Sequence, residues 1–430
     1  MLVLQGFLTI LILILFFVRI RIGICLYIAY LFLVPYCKLN IAGISFSWNL
    51  LNIALLSAFI LKSIKKSSLS KFEFRPYIPF ILLYILLLIE IPFQDSVPFS
   101  HQINQWRLAL FNLILPLVIW NLSKIDSKLW KYCIYTVIIV SIIIIIYTLY
   151  LIPLNGFNPY VMLIAQINGE ELFENQFGDQ QGRLMAKISS VFTHPMTFGA
   201  FLGMAAICVF ACKEYINKYI TYIILIGLFS CILICGIRTP IAAILITILI
   251  YLFINKNFKL FYYATMLGAL LYFIIIQIPE ISGTISSIID SKSSNVGGSS
   301  IEMRLEQLNA CFVEVQDCLF LGKGYDYTGY YSSKYGTHPT LYSFESIVFV
   351  ILCNYGLIGF VIWGNMFRQL FNYVNKKYKK NKNNLIIIAL MTYYLSYTII
   401  TGEYGYIKFF TLFYTIIIIS INANNYKKII

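Results

Sequence analysis

Three observations predict an all-α polytopic membrane protein. Hydrophobic residues make up 60% of the 430 and charged residues only 12%, against about 25% charged in soluble domains. Apolar runs of roughly membrane length recur from one end to the other, separated by polar stretches. The charges are also sorted, because one set of alternate loops holds most of the Lys and Arg. Residues 1–430 therefore read as a single integral membrane domain. The net charge of +14 lies in short clusters between spans, which is membrane topology and not a nucleic-acid surface.

In chain order, the runs are 2–18, 22–37, 46–61, 77–92, 108–122, 132–152, 189–212, 219–237, 239–254, 260–278, 344–363, 385–400 and 407–421. This predicts 12–13 transmembrane helices, the first two and the short ninth being the weakest. No basic residue precedes the first run, so it reads as a retained span and not a cleaved leader. Arg19/Arg21, Lys62–Arg75, Lys124–Lys131, Lys213/Lys218, Lys256/Lys259, Lys376–Lys382 and Lys427/Lys428 fall on one side. The positive-inside rule makes that side cytoplasmic. All five tryptophans fall at predicted span ends, as an aromatic belt would place them. Most of the ten cysteines lie within apolar runs as packing residues, and no C-x-x-C pair marks a metal site.

Two outer loops are long, 153–187 and 279–343. The second carries most of the chemistry. Ser299 and Glu302 have capping-box spacing, and Ile301, Leu305, Leu308, Phe312, Val315 and Leu319 recur as one apolar helical stripe. Arg304 lies beside that stripe. A Gly/Tyr-rich loop, His338-Pro339 and Glu345 follow, and Glu345 stands at the mouth of an apolar span.

Arg238 is the only charged residue in 219–254, a run too long for one span. The run must fold as a hairpin with Arg238-Thr239-Pro240 at an outer turn. Arg238 is then either a snorkelling anchor or a site residue. Arg183 closes the first long loop, and His194 follows it inside the next span. Glu345 is either a helix N-terminal carboxylate or a proton acceptor. Glu90 and Glu403 are weaker candidates of the same kind. Tyr325 and Tyr327 are placed to stack on sugar rings. Three outer arginines suit a pyrophosphate, which a guanidinium binds bidentately.

These residues resemble the O-antigen polymerase and O-antigen ligase superfamily of bacterial membrane proteins. The resemblance rests on Arg183 with Phe192-Thr193-His194-Pro195, on the Arg238 hairpin, and on Arg304 followed by Leu319-Phe320-Leu321-Gly322-Lys323-Gly324. That last stretch is similar to the family's R…P-L-x-G-x-G. Glu345-Ser346…Asn354-Tyr355-Gly356-Leu357-Ile358-Gly359 is similar to its H-N-x-x-L…E-x-G-x-x-G. Glu345 stands where ligases carry His, and Asn354 where they carry Glu, which leans toward a polymerase. The resemblance implies a GT-C-like, metal-independent glycosyltransferase with no cofactor in the bacterial plasma (inner) membrane. Its site would face the periplasm or exterior. It would join repeat units carried on undecaprenyl pyrophosphate into O-antigen of lipopolysaccharide, capsule or exopolysaccharide, alongside a chain-length regulator and a flippase. Glu345 and Arg238 would be catalytic. Arg183, Arg304, His194, His338, Tyr325 and Tyr327 would bind substrate. A ligase passing polymer to a lipid core, or a lipid-linked oligosaccharide flippase or transporter, are the alternatives.

Overall fold

Apolar runs become helices because a backbone buried in lipid must satisfy its own hydrogen bonds. The computed structural model describes residues 2–35, 38–41, 44–65, 72–154, 157–167, 187–263, 265–266, 301–379 and 383–427. The first helices are α1 (Leu2–Val18), α2 (Ile20–Leu33), α3 (Trp48–Lys65), α4 (Ile78–Glu90), α5 (Phe99–Phe111), α6 (Ile114–Ile125), α7 (Leu129–Leu151) and α8 (Pro159–Ile167). Next come α9 (Pro195–Ala211), α10 (Lys218–Ile234) and α11 (Arg238–Ile254). The last are α12 (Ile301–Glu314), α13 (Tyr327–Tyr335), α14 (Ile347–Tyr378), α15 (Asn383–Thr401) and α16 (Ile407–Lys427).

Among the described residues, five helical segments are long and apolar enough to cross a membrane, and seven shorter apolar helices accompany them. Twelve of the predicted spans meet one of these. The remaining one, 260–278, lies almost wholly outside the described residues. Between α2 and α3 the chain makes a short antiparallel hairpin, β1 (Lys38–Ile41) and β2 (Ile44–Ser47), with Lys38 opposite Ser47. The fifth predicted span gains α5 at its start and breaks at Asn112–Leu113. Proline explains the break: Pro116 has no N–H for the Asn112 carbonyl four residues back, and its ring clashes there. Trp363 is not at a span end, because α14 continues to Tyr378.

Two helices form the buried centre. α9 is apolar all round and buried from Phe198 to Val209, as a helix without a polar face must be. Gly199 and Gly203 let α15 approach it closely; Tyr393 donates to the Gly199 carbonyl at 2.8 Å. α16 fills the other side, buried from Phe409 to Ile421. Several of the basic loops meet. There Arg21 pairs with Asp126 at 2.6 Å, Lys124 with Glu73, and Lys377 lies over the Trp120 ring.

Helix α14 is broken. Gly356 has φ 59° and ψ −155° inside the helix, a region open essentially to glycine alone. The backbone groups released by the break are taken up by the 319–324 segment. Leu357 and Ile358 N–H donate to the Leu319 and Phe320 carbonyls at 2.9 and 3.0 Å. Lys323 and Gly324 N–H donate back to the Cys353 and Asn354 carbonyls at 2.8 and 3.2 Å. Gly322 also has positive φ, and a Cβ there would lie 2.5 Å from the Tyr355 nitrogen. On Gly356 a Cβ would lie 2.5 Å from the Leu319 carbonyl oxygen. The two glycine motifs are thus the two halves of one backbone splice. Thiols of Cys311 and Cys353 meet beside it, 3.8 Å apart.

Gly356→Ala and Gly322→Ala are therefore expected to abolish recovery of monodisperse protein from detergent. The strained backbone alone costs roughly 1–3 kcal/mol, and the opposing backbone cannot retreat. Gly364→Ala in the same helix meets nothing within 4 Å and is expected to extract like the wild type. Similar size-exclusion profiles for all three would contradict the splice.

Candidate functional site

The helix α12 is rotated from the apolar stripe that its sequence shows: Leu308, Val315 and Leu319 keep their inward packing, and two members of the stripe do not. Leu305 and Phe312 are 59% and 46% exposed, while Gln307, Cys311 and Val315 are buried. A polar pair explains the rotation. Arg304 reaches Glu345: its Nη2 donates to Oε2 at 3.0 Å, and its Nη1 donates to the Glu345 carbonyl. The same guanidinium donates to Gln307 Oε1 at 3.2 Å and to the Ile400 carbonyl at 3.0 Å. One side chain thus ties α12 to the turn before α14 and to the end of α15. Charged hydrogen bonds are worth about 1.5–3 kcal/mol each, enough to outweigh exposing a leucine. Burial lowers the Arg304 pKa, and Glu345 opposes that shift. Ser299 of the predicted capping box lies outside the described residues.

A second polar cluster sits farther along α12. Glu314 accepts from Lys323 Nζ at 2.5 Å and from the Tyr327 hydroxyl at 2.6 Å. His338 Nε2 lies 3.5 Å from its other oxygen. His338 Nδ1 accepts from the Leu341 N–H at 3.0 Å, which leaves the ring proton on Nε2, toward the carboxylate. Burial pushes the Glu314 carboxyl up, but Lys323, Tyr327 and His338 together hold it below its ordinary range. Tyr331 packs on the His338 ring, 5.0 Å between centroids. Arg304 and Glu314 stand ten residues apart on one helix, about 15 Å, so the clusters are neighbours and not one site.

Between α4, α5, α14 and the 402–406 turn lies a cavity of about 250 Å³. Tyr84, Gln105, Asp326, Asn354, Trp363 and Glu403 contribute to its wall. Asp326 has positive φ of 62° and pairs with His101 at 3.1 Å. Burial raises its carboxyl pKa, and His101 counters that. Two glutamines fasten this wall. Gln102 donates to the Gln94 and Val97 carbonyls at 3.0 and 2.9 Å and accepts from the Tyr325 N–H at 2.8 Å. Gln94 donates to the Asn354 carbonyl at 3.1 Å.

The predicted residues fare unequally. Arg304 and Glu345 are brought together. Tyr327 and His338 join Glu314. Tyr325 is buried against Tyr355 beside the cavity, ring centroids 5.4 Å apart. Arg238 heads α11, whose Pro240 meets Gly199 next to Tyr397, at the same end of α15 that Arg304 grips. His194 stands ahead of its span and not inside it. Its Nδ1 caps α9 by accepting from the Met196 N–H at 3.0 Å, and burial pushes its pKa down to about 4, with Lys187 adding to the effect. It is therefore a neutral structural cap. Arg183 lies outside the described residues. Sequence reasoning gave no role to Glu314, Asp326 and His101, whose partners lie from 9 to 225 residues away. It also passed over Lys408, which lines a separate pocket of about 30 Å³ with Asn52, Asn112 and Trp48. An ionisable group in the first turn of an apolar helix was the available signal for Lys408.

Residues 223–364 match the family model described as O-Antigen ligase. No curated protein matches the chain. The match spans Arg238, Arg304, Glu345 and both halves of the splice. It supports the O-antigen ligase and polymerase superfamily and, with the apolar helices, a multi-pass membrane protein of O-antigen or polysaccharide function.

Glu403 supplies a pH test. Burial pushes its carboxyl from an ordinary 4.5 up to about 7. The folded protein then binds that proton more tightly than the unfolded chain, so stability falls as pH rises through that window. Glu403→Gln is expected to raise the apparent Tm more at pH 8 than at pH 5. Equal shifts at both pH values would show that Glu403 is not held neutral.

Proposed function

We propose, from the superfamily that the match at 223–364 supports, that this protein polymerises oligosaccharide repeat units carried on undecaprenyl pyrophosphate. The work is done on the outer, periplasmic or exterior, face of the bacterial plasma membrane. The observation that carries this reading is the Arg304–Glu345 ion pair within the matched segment. A hydroxyl at the non-reducing end of one lipid-linked unit attacks the anomeric carbon of another. The bond from that carbon to the pyrophosphate oxygen breaks, and its electron pair leaves with undecaprenyl pyrophosphate. Glu345 takes the hydroxyl proton. Once neutral it loosens its hold on Arg304, whose charge turns to the leaving pyrophosphate. Arg238 and Arg183 add charge at the pyrophosphate. Tyr327 and His338, held by Glu314, shape the glycan side. A flippase would supply the donor and a chain-length regulator would end the chain.

The description of the matching family model favours a second reading, a ligase that passes finished polymer to a lipid core. A transporter fits less well. Broken helices in transporters offer backbone groups to a substrate or ion, whereas the break at Gly356 is filled by the chain's own 319–324 segment.

The test is the surface and lipid-linked glycan of a deletion strain complemented with wild type, Arg304→Lys, Arg238→Ala or Glu345→Gln at equal protein level. Wild type is expected to restore a ladder. Each variant is expected to leave mainly single repeat units, with long chains reduced at least about tenfold, one factor of ten for each ~1.4 kcal/mol of lost transition-state binding. Arg304→Lys keeps the charge but not the bidentate fork. Full-length polymer left on its lipid carrier in the deletion would select the ligase. An unaltered ladder in Glu345→Gln would remove that residue as base.

A further inference from the structure

We propose that the cavity between α4, α5, α14 and the 402–406 turn is a subsite for a single neutral or amino sugar ring of the glycan, and that it rejects acidic sugars. This rests on the glycan function proposed above. At about 250 Å³ the cavity falls below the ~300–1,000 Å³ of drug-sized pockets, so it has room for one ring and not for an oligosaccharide. Its wall mixes aromatic faces, from Tyr84, Tyr355 and Trp363, with the amides of Gln105 and Asn354. Flat apolar faces edged by amides match a pyranose, with its C–H face and its ring of hydroxyls.

Trp363 is nine-tenths buried, and its indole N–H has no hydrogen-bond partner among the described residues. A buried donor left in this way costs free energy, and it belongs to a residue of the cavity wall. Charge decides the class. Asp326 and Glu403 both contribute to its wall, and among the described residues no Lys or Arg lines it. The His101 imidazole faces Asp326 from outside it, and Lys408 lines the neighbouring pocket. At pH 8, where both carboxyls are ionised, a uronate or a pyrophosphate would meet like charge here. The phosphate end of the substrate therefore belongs at the arginines, of which Arg304 holds the Ile400 carbonyl at the end of α15.

Saturation-transfer NMR on the purified full chain in nanodiscs tests this at pH 8. The probes are N-acetylglucosamine and glucuronate. Transfer to N-acetylglucosamine is expected to exceed transfer to glucuronate at least fivefold. Ala109→Phe, which fills the cavity, is expected to remove it, and Gln105→Ala to reduce it severalfold. Equal transfer to both sugars would overturn the proposal, as would unchanged transfer in an Ala109→Phe protein that elutes like wild type. If Ala109→Phe does not fold, unchanged transfer in Gln105→Ala is decisive against it. Sugar binding together with a normal glycan ladder in the deletion strain would overturn the polymerase reading and leave the subsite standing. A lost ladder without sugar binding would overturn the subsite alone.

Discussion

The splice between 319–324 and 353–358 is the constraint on which the rest of this end of the protein depends. A helix interrupted at membrane depth exposes backbone donors and acceptors that lipid cannot satisfy. Here a second strand of backbone takes them, and only glycine fits where the two cross, at Gly322 and Gly356. Everything polar nearby is positioned by it. Lys323 projects to Glu314, and Asn354 Oδ1 accepts from the Thr328 N–H at 2.9 Å to start α13. Gln94, just beyond α4, and Gln102 of α5 clamp the same segment.

Arg304 plays the corresponding part among side chains. It holds three segments that, among the described residues, share no backbone–backbone hydrogen bonds with one another. Its burial face overrode the hydrophobic pattern of its helix, because hydrogen bonds to a guanidinium outweigh the exposure of Leu305 and Phe312.

The spans were legible in the sequence, because composition and length alone specify a helix in lipid. Three of the basic loops, those of Arg21, Glu73 and Lys124, are joined by the pairing of Arg21 with Asp126 and of Lys124 with Glu73. The glycines were visible as a motif, but their meaning was not, since positive φ is a property of the partner backbone as much as of Gly356. Glu314, Asp326 and His101 could not be read from pattern. Each is an isolated charge whose partner lies between 9 and 225 residues away, and no periodicity reports such a contact. His194 was legible as a residue of interest but not as a cap, because its role depends on where α9 starts.

The splice also has a consequence for biogenesis. Its two halves lie close in sequence, with Leu319 bonded to Leu357 and Gly324 to Asn354. Closing a loop of that length has a modest entropic cost. The glutamine clamp, in contrast, joins Gln102 to Tyr325 across 223 positions. The broken helix can therefore complete itself as a local unit soon after its second half enters the bilayer, without waiting for the N-terminal spans. The earlier helices then receive a finished surface, whereas the turn that carries Glu345 is fixed only when Arg304 and the end of α15 are also in place.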